Sequence, residues 1–261
     1  MSDSLPTVEI LLQTPRFAVV NKPHGMMIHR SKMANGDEQY LVDALQSQLR
    51  VPIFAVHRLD RATSGCCLVA FDSETASLLG KQVMANTLDK TYWAVVRGWP
   101  REDAFTIDYP LDGGPGKREK KPAVTHFRVL GRAELPFADR EFPVSRYAWL
   151  ECRLDTGRFR QIRRHLKHCF HHLIGDTSHG DGRHNRQWRM MGIHRMLLHA
   201  RSLSFDDPFE GHRLHATAPI DAEMAKALAW FESADTAESA DAVVAVRSDA
   251  SAQGVTSHAV E

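Results

Sequence analysis

Short apolar and β-branched runs recur along this chain, and most successive pairs have no segment of helical spacing between them. That order argues against a doubly wound parallel sheet, where helices alternate with strands. It favours an α+β fold with a long mixed, mostly antiparallel sheet and flanking helices. The first runs, VEILLQ (residues 8–13) and FAVVNK (17–22), read as a hairpin, the second stopped by Pro23 and Gly25. IFAV (53–56) and CCLVAF (66–71) follow, and KTYWAVVRG (90–98) is the clearest strand, rich in aromatic and β-branched residues. AVTHFRVL (123–130), YAWLECRL (147–154), MLLHARSLSF (196–205) and HRLHA (212–216) complete the β content. Helical spacing marks residues 40–49, 73–86 with Ser73 as N-cap, 160–170 and 221–231. Residues 33–38 and LDGGPGKREKK (111–121) read as polar loops, the second flexible and basic.

At 261 residues the chain can bury a proper core, and one compact body is expected over residues 1–232. The Ala, Ser and Asp mixture of 233–261 predicts a disordered acidic tail. No apolar run approaches the roughly 18 residues that span a bilayer, and the start lacks the pattern of a secretory signal. A cytoplasmic location without membrane contact is therefore expected, and the chain is read as a monomer. Cys66, Cys67, Cys152 and Cys169 show neither CxxC pairs nor a disulfide framework, and read as reduced core residues.

The net charge of +1 conceals an asymmetry. Six acids and one Arg fall in the last thirty residues, which leaves the body strongly positive. Residues 146–201 hold twelve Arg or Lys against four acids, with eight of the fifteen histidines. A stretch so dominated by Arg has the electrostatic footprint of a phosphate binder.

Two segments within this frame could carry chemistry. HRLDRATSG (57–65) places Asp60 between Arg58 and Arg61, ahead of two hydroxyls and a glycine at a turn. Neighbouring cations favour the charged form of a carboxylate, which suits a nucleophile or base better than a general acid. A structural Asp–Arg pairing in a turn satisfies the same residues, so both readings stand at this point. GRFRQIRRH (157–165) sets Arg158, Arg160, Arg163 and Arg164 over the start of a helix, where free backbone amides also attract anions. The histidines at 165, 168, 171 and 172 lack HExxH spacing and an accompanying acid, so no metal site is expected. Without a Rossmann or phosphate-loop signature, no nucleotide cofactor is expected either.

Seven segments in this order resemble the RluA family of pseudouridine synthases, from about Val8 to Phe231. They are VVNKPHGMMIHRS, HRLDRATSG, KTYWAVVRG, KPAVTHFRVL, TGRFRQIRRHLKH, LIGDTSHGDGRHNR and MLLHA. IHRS, PAVTHF and IGDTSHGDGRHNR are most similar to the branch acting on tRNA, which implies uridine 65 as target. The resemblance implies the pseudouridine synthase fold with a central catalytic cleft and no cofactor. It implies Asp60 as nucleophile, Arg163 as its ion-pair partner, and Tyr92 stacking on the base and helping to remove a ring proton. Arg58 would fill the space left by the flipped base, and Leu198 would form the apolar wall. Arg158 and Arg160 would bind substrate, with Arg160 standing where the family usually has His. With the first family motif beginning by Val19, no separate N-terminal RNA-binding domain is expected. A ribosomal RNA target, or an RNA-binding protein without catalysis, remains the alternative.

Overall fold

The computed structural model describes residues 5–29, 39–139 and 141–231. The expected loop at 33–38 and the expected tail at 233–261 lie outside the described residues. In chain order the elements are β1 (Glu9–Gln13), β2 (Phe17–Lys22), α1 (Leu41–Leu49), β3 (Phe54–Ala55), β4 (Ser64–Ala70) and α2 (Ser73–Ala85). Next come β5 (Asp89–Arg97), β6 (Ala104–Asp108), β7 (Leu111–Gly114), β8 (Lys117–Lys121), β9 (Val124–Leu135) and β10 (Ser145–Leu154). The remainder is α3 (Gln161–His168), α4 (Gly182–Met190), β11 (Leu198–Asp206), β12 (Arg213–Thr217) and α5 (Ala222–Leu228).

A single long sheet runs β1-β2-β4-β11-β5-β10-β9-β6, with β12 added to β11 and β3 to β4. Its paired strands are antiparallel except for β4 and β11, which meet in parallel through Ser64↔His199 and Gly65↔Ala200. This mixed sheet with helices on both faces is the expected α+β architecture. Alternate residues explain how both faces fill. On β4, Cys67 and Val69 enter the core beneath α1 and α3, whereas Cys66, Leu68 and Ala70 enter the opposite core with Leu79 of α2. On β5, Tyr92, Ala94 and Val96 face the α1 and α3 side, and Val95 faces Trp188 of α4 and Met224 of α5. No helix among the described residues is long and apolar enough to cross a membrane.

Four local readings change, the first being the edge strand β6, which falls in none of the apolar runs named from the sequence. Asp72, one residue before Ser73, caps α2 by accepting the Thr75 amide at 2.7 Å. Residues 111–121 form the hairpin β7–β8 instead of a flexible loop. Gly114 turns the chain at φ 95°, Asp112 accepts its amide at 2.9 Å, and Arg164 of α3 donates to the same carboxylate at 2.8 Å. That last contact joins residues 52 apart, beyond the reach of local propensity. Helix α4 was not anticipated, because its single large buried apolar residue, Trp188, leaves almost no periodicity to read.

The parallel junction needs a glycine. Gly65 has φ 107°, and a Cβ there would stand 2.2 Å from the Ala200 carbonyl oxygen. Beside it, Arg195 donates to Ser64 Oγ at 2.6 Å, and Ser64 Oγ lies 2.8 Å from His199 Nδ1. Gly65→Ala is expected to cost about 3 kcal/mol through a strained backbone and a clash with an immobile neighbour. Urea unfolding measures it, and an unchanged midpoint would contradict this account of the junction.

Candidate active site

The loop between β3 and β4 presents Asp60, and its shape is fixed from several sides. The Thr63 amide donates to the Asp60 carbonyl at 3.0 Å, closing a tight turn. Buried Lys22 donates to the carbonyls of Pro23, Met26 and Arg61, and the Gly25 amide donates to Arg61 as well. His57 Nε2 accepts the Leu68 amide at 3.1 Å, and burial lowers that imidazole to about 4, so it is neutral at pH 7.

The cation that reaches Asp60 is Arg163 of α3, with Nη1 at 2.6 Å from the carboxylate. The guanidinium is almost wholly buried and its other edge is bidentate to Asp176, Nε at 2.7 Å and Nη2 at 2.8 Å. Asp176 in turn accepts the backbone amides of Ser178 and His179. Burial pushes the Asp176 carboxyl up, but Arg163 and those amides outweigh it and hold the group below the usual carboxylate range. For Arg163, burial works against the charge, and its bonds to Asp176 and Asp60 more than restore it. One guanidinium therefore couples an enclosed carboxylate to a partly exposed one and sets the orientation of the latter. Asp176 was passed over in the sequence, although IGDTSHGDG holds it; a single Asp in a Gly-rich loop carries no periodic signal.

Asp60 opens into a cavity of about 590 Å³. Tyr92, Arg163, Arg58, Leu198, Arg158 and Arg160 line it too, so every residue expected of the site converges there. The sheet explains the convergence: β11 lies between β4 and β5, which places Leu198 between the Asp60 loop and Tyr92. Tyr92 and Leu198 are buried and form the apolar floor, while Arg58 is exposed. Burial, with Asp60 among the nearby negative groups, raises the Tyr92 phenol well above its ordinary value. The hydroxyl is thus protonated at neutral pH and can pass a proton along but is no standing base. A second cavity, about 320 Å³ beside Arg97, Phe142 and His184, holds none of the expected residues.

The basic stretch separates into two groups. Arg163 and Arg164 are matched to carboxylates inside the protein, whereas Arg158 and Arg160 stay at the cavity. The histidines do not converge: His165 spans Thr125 and the Tyr109 carbonyl, His168 stacks on Tyr109, and His171 and His172 contact the carbonyls of Arg97 and His179. The four cysteines are free thiols.

Residues 16–168 match the family model described as RNA pseudouridylate synthase. The chain belongs to this family. It is accordingly an isomerase acting on RNA. Among its relatives, tRNA pseudouridine synthase C of Vibrio parahaemolyticus is 39% identical over 86% of this chain and 95% of its own. The protein of the same name from Salmonella typhimurium is 38% identical over 86% and 90%. Human RNA Pseudouridylate Synthase Domain Containing 4 superposes with a TM-score of 0.67 at 22% identity, covering 86% of this chain and 94% of its own, so the fold is that of the pseudouridylate synthases.

The buried pair gives a pH signature. Because the folded Asp176 carboxyl is depressed, its stabilisation is present above its unfolded value of about 3.9 and is lost as pH falls through the folded one. Asp176→Asn should cost about 3 kcal/mol at pH 7 by stripping a buried guanidinium of a partner. Urea unfolding of both proteins from pH 7 towards 3 should show the gap closing on the acid side; a gap independent of pH would contradict the assignment.

Proposed function

We propose that this isomerase converts a uridine of tRNA, uridine 65, to pseudouridine, with Asp60 as the nucleophile. The observation that carries the reading is Arg163, which holds Asp60 at 2.6 Å on the wall of a cavity floored by Tyr92 and Leu198. The tRNA substrate is supported by the relatives named tRNA pseudouridine synthase C, whose similarity extends over most of the chain.

The reaction breaks the bond between sugar and base, rotates the base and rejoins the sugar through ring carbon 5. No redox change or hydrolysis is involved, and the chemistry asks for no cofactor. A target base must first leave its stack, which costs a few kcal/mol. Stacking against Tyr92 offsets part of that cost, and Arg58, exposed at the mouth, is placed to occupy the vacated space. The Asp60 carboxylate then acts on the base or on the sugar, by addition, by attack at the anomeric carbon or by removing the adjacent proton. Each route needs an oriented carboxylate, and a fixed guanidinium supplies that orientation with little reorganisation. Tyr92, held protonated, serves by stacking and by relaying the proton that leaves carbon 5 as ring nitrogen 1, freed from the sugar, gains one, so that no proton is consumed overall. The free thiols suit the reducing cytoplasm, where we place the enzyme.

Pseudouridine mapping in total RNA from cells with and without the gene tests the substrate. Loss confined to one tRNA position is expected. Loss only in ribosomal RNA would overturn the tRNA assignment.

A further inference from the structure

Lys90 lines the same cavity two residues before Tyr92 on β5, and strand alternation puts both side chains on one face. It is half-buried, and no carboxylate among the described residues pairs with it. Burial lowers its ammonium below the ordinary lysine range, and no neighbouring acid offsets that shift. A desolvated cation without a counterion weakens a fold. The contacts among the described residues leave this cost standing.

Arg160 has a matching deficit. Its Nε is buried with no hydrogen-bond acceptor among the described residues, although its guanidinium lies 4.9 Å from the Phe159 ring centroid. The residue is held in the left-handed conformation, φ 51°, at the N-cap of α3, so the backbone fixes where the side chain starts. Its neighbours differ: Arg158 donates to the Pro122 carbonyl, and Arg163 and Arg164 are matched to carboxylates. Lys90 Nζ comes within 3.9 Å of where a Gly157 Cβ would stand, so it reaches the turn that carries Arg160.

We propose that Lys90 and Arg160 form an anion subsite that receives a phosphodiester group of the flipped nucleotide. The proposal rests on the cavity being the uridine site. A phosphate fits better than a uracil carbonyl, because two cations lacking a counterion call for a full negative charge and a neutral carbonyl cannot supply it. A phosphate also accepts several hydrogen bonds at once, enough for an ammonium and a guanidinium together. On this account the unmatched charge weakens the free protein and strengthens RNA binding.

Lys90→Met keeps most of the unbranched side chain and removes its charge. Binding of a tRNA transcript is measured across a salt series, together with thermal unfolding and single-turnover product formation. Kd should weaken about tenfold at low salt, the loss of one charge-assisted contact. The slope of log Kd against log salt should become shallower by about 0.7 to 0.9, the release of one counterion fewer. Tm should stay level or rise, since a partly desolvated charge without a counterion is gone. Arg160→Gln should also make the slope shallower. An unchanged Kd and slope with slower product formation would overturn the proposal, because the ammonium would then act on the reacting ring. A fall in Tm with an unchanged slope would also overturn it, as the mark of a structural role. The wild-type control separates the two readings: product from wild type with unaltered slopes in both variants removes only the subsite, whereas no product from wild type removes the uridine site on which it rests.

Discussion

Arg163 is shared by two carboxylates, and the site is organised around that sharing. Asp176 is enclosed and accepts two backbone amides, so it holds one edge of the guanidinium immovably. The opposite edge reaches Asp60, which keeps about a quarter of its side chain exposed to the cavity. A buried ion pair of this kind is weak evidence of stability, because desolvation offsets much of its attraction. Its value here is geometric. The guanidinium is planar and its donors are rigid, so a fixed Asp176 defines where the Asp60 carboxylate rests.

The sheet supplies the second constraint. Tyr92, Leu198 and the Asp60 loop are far apart in sequence, and they meet because β11 enters between β4 and β5 and runs parallel to β4. Parallel pairing requires a long crossover, here the chain from β4 to β11 that includes α3 and α4. The same crossover that permits the junction therefore carries Arg163 to the site. Backbones approach so closely there that Gly65 admits no Cβ.

Much of this was legible in the sequence. The strands β1, β2, β4, β5, β10 and β11 fall on apolar or β-branched runs, and the order of these runs implied the mixed sheet. The residues of the site followed from family resemblance, since charge pattern alone left Asp60 open to a structural role. Features fixed by distant contacts were not legible. The β7–β8 hairpin depends on Arg164 reaching Asp112, α4 on one tryptophan, and Asp176 on a guanidinium thirteen residues before it. Arg61, adjacent to Asp60 in sequence, turns instead to the Gly25 carbonyl, so proximity along the chain misstated which arginine serves the carboxylate.

In the function we propose, the Asp60 carboxylate performs the chemistry while the rest of the cavity binds and flips the base. Asp60→Asn preserves the shape of the side chain and can still meet Arg163 through its amide oxygen. The most direct measurement is single-turnover pseudouridine formation in a tRNA transcript by this variant, alongside its Kd for the same RNA. The account predicts no detectable product with binding near that of the wild type. Substantial turnover by the variant would contradict it.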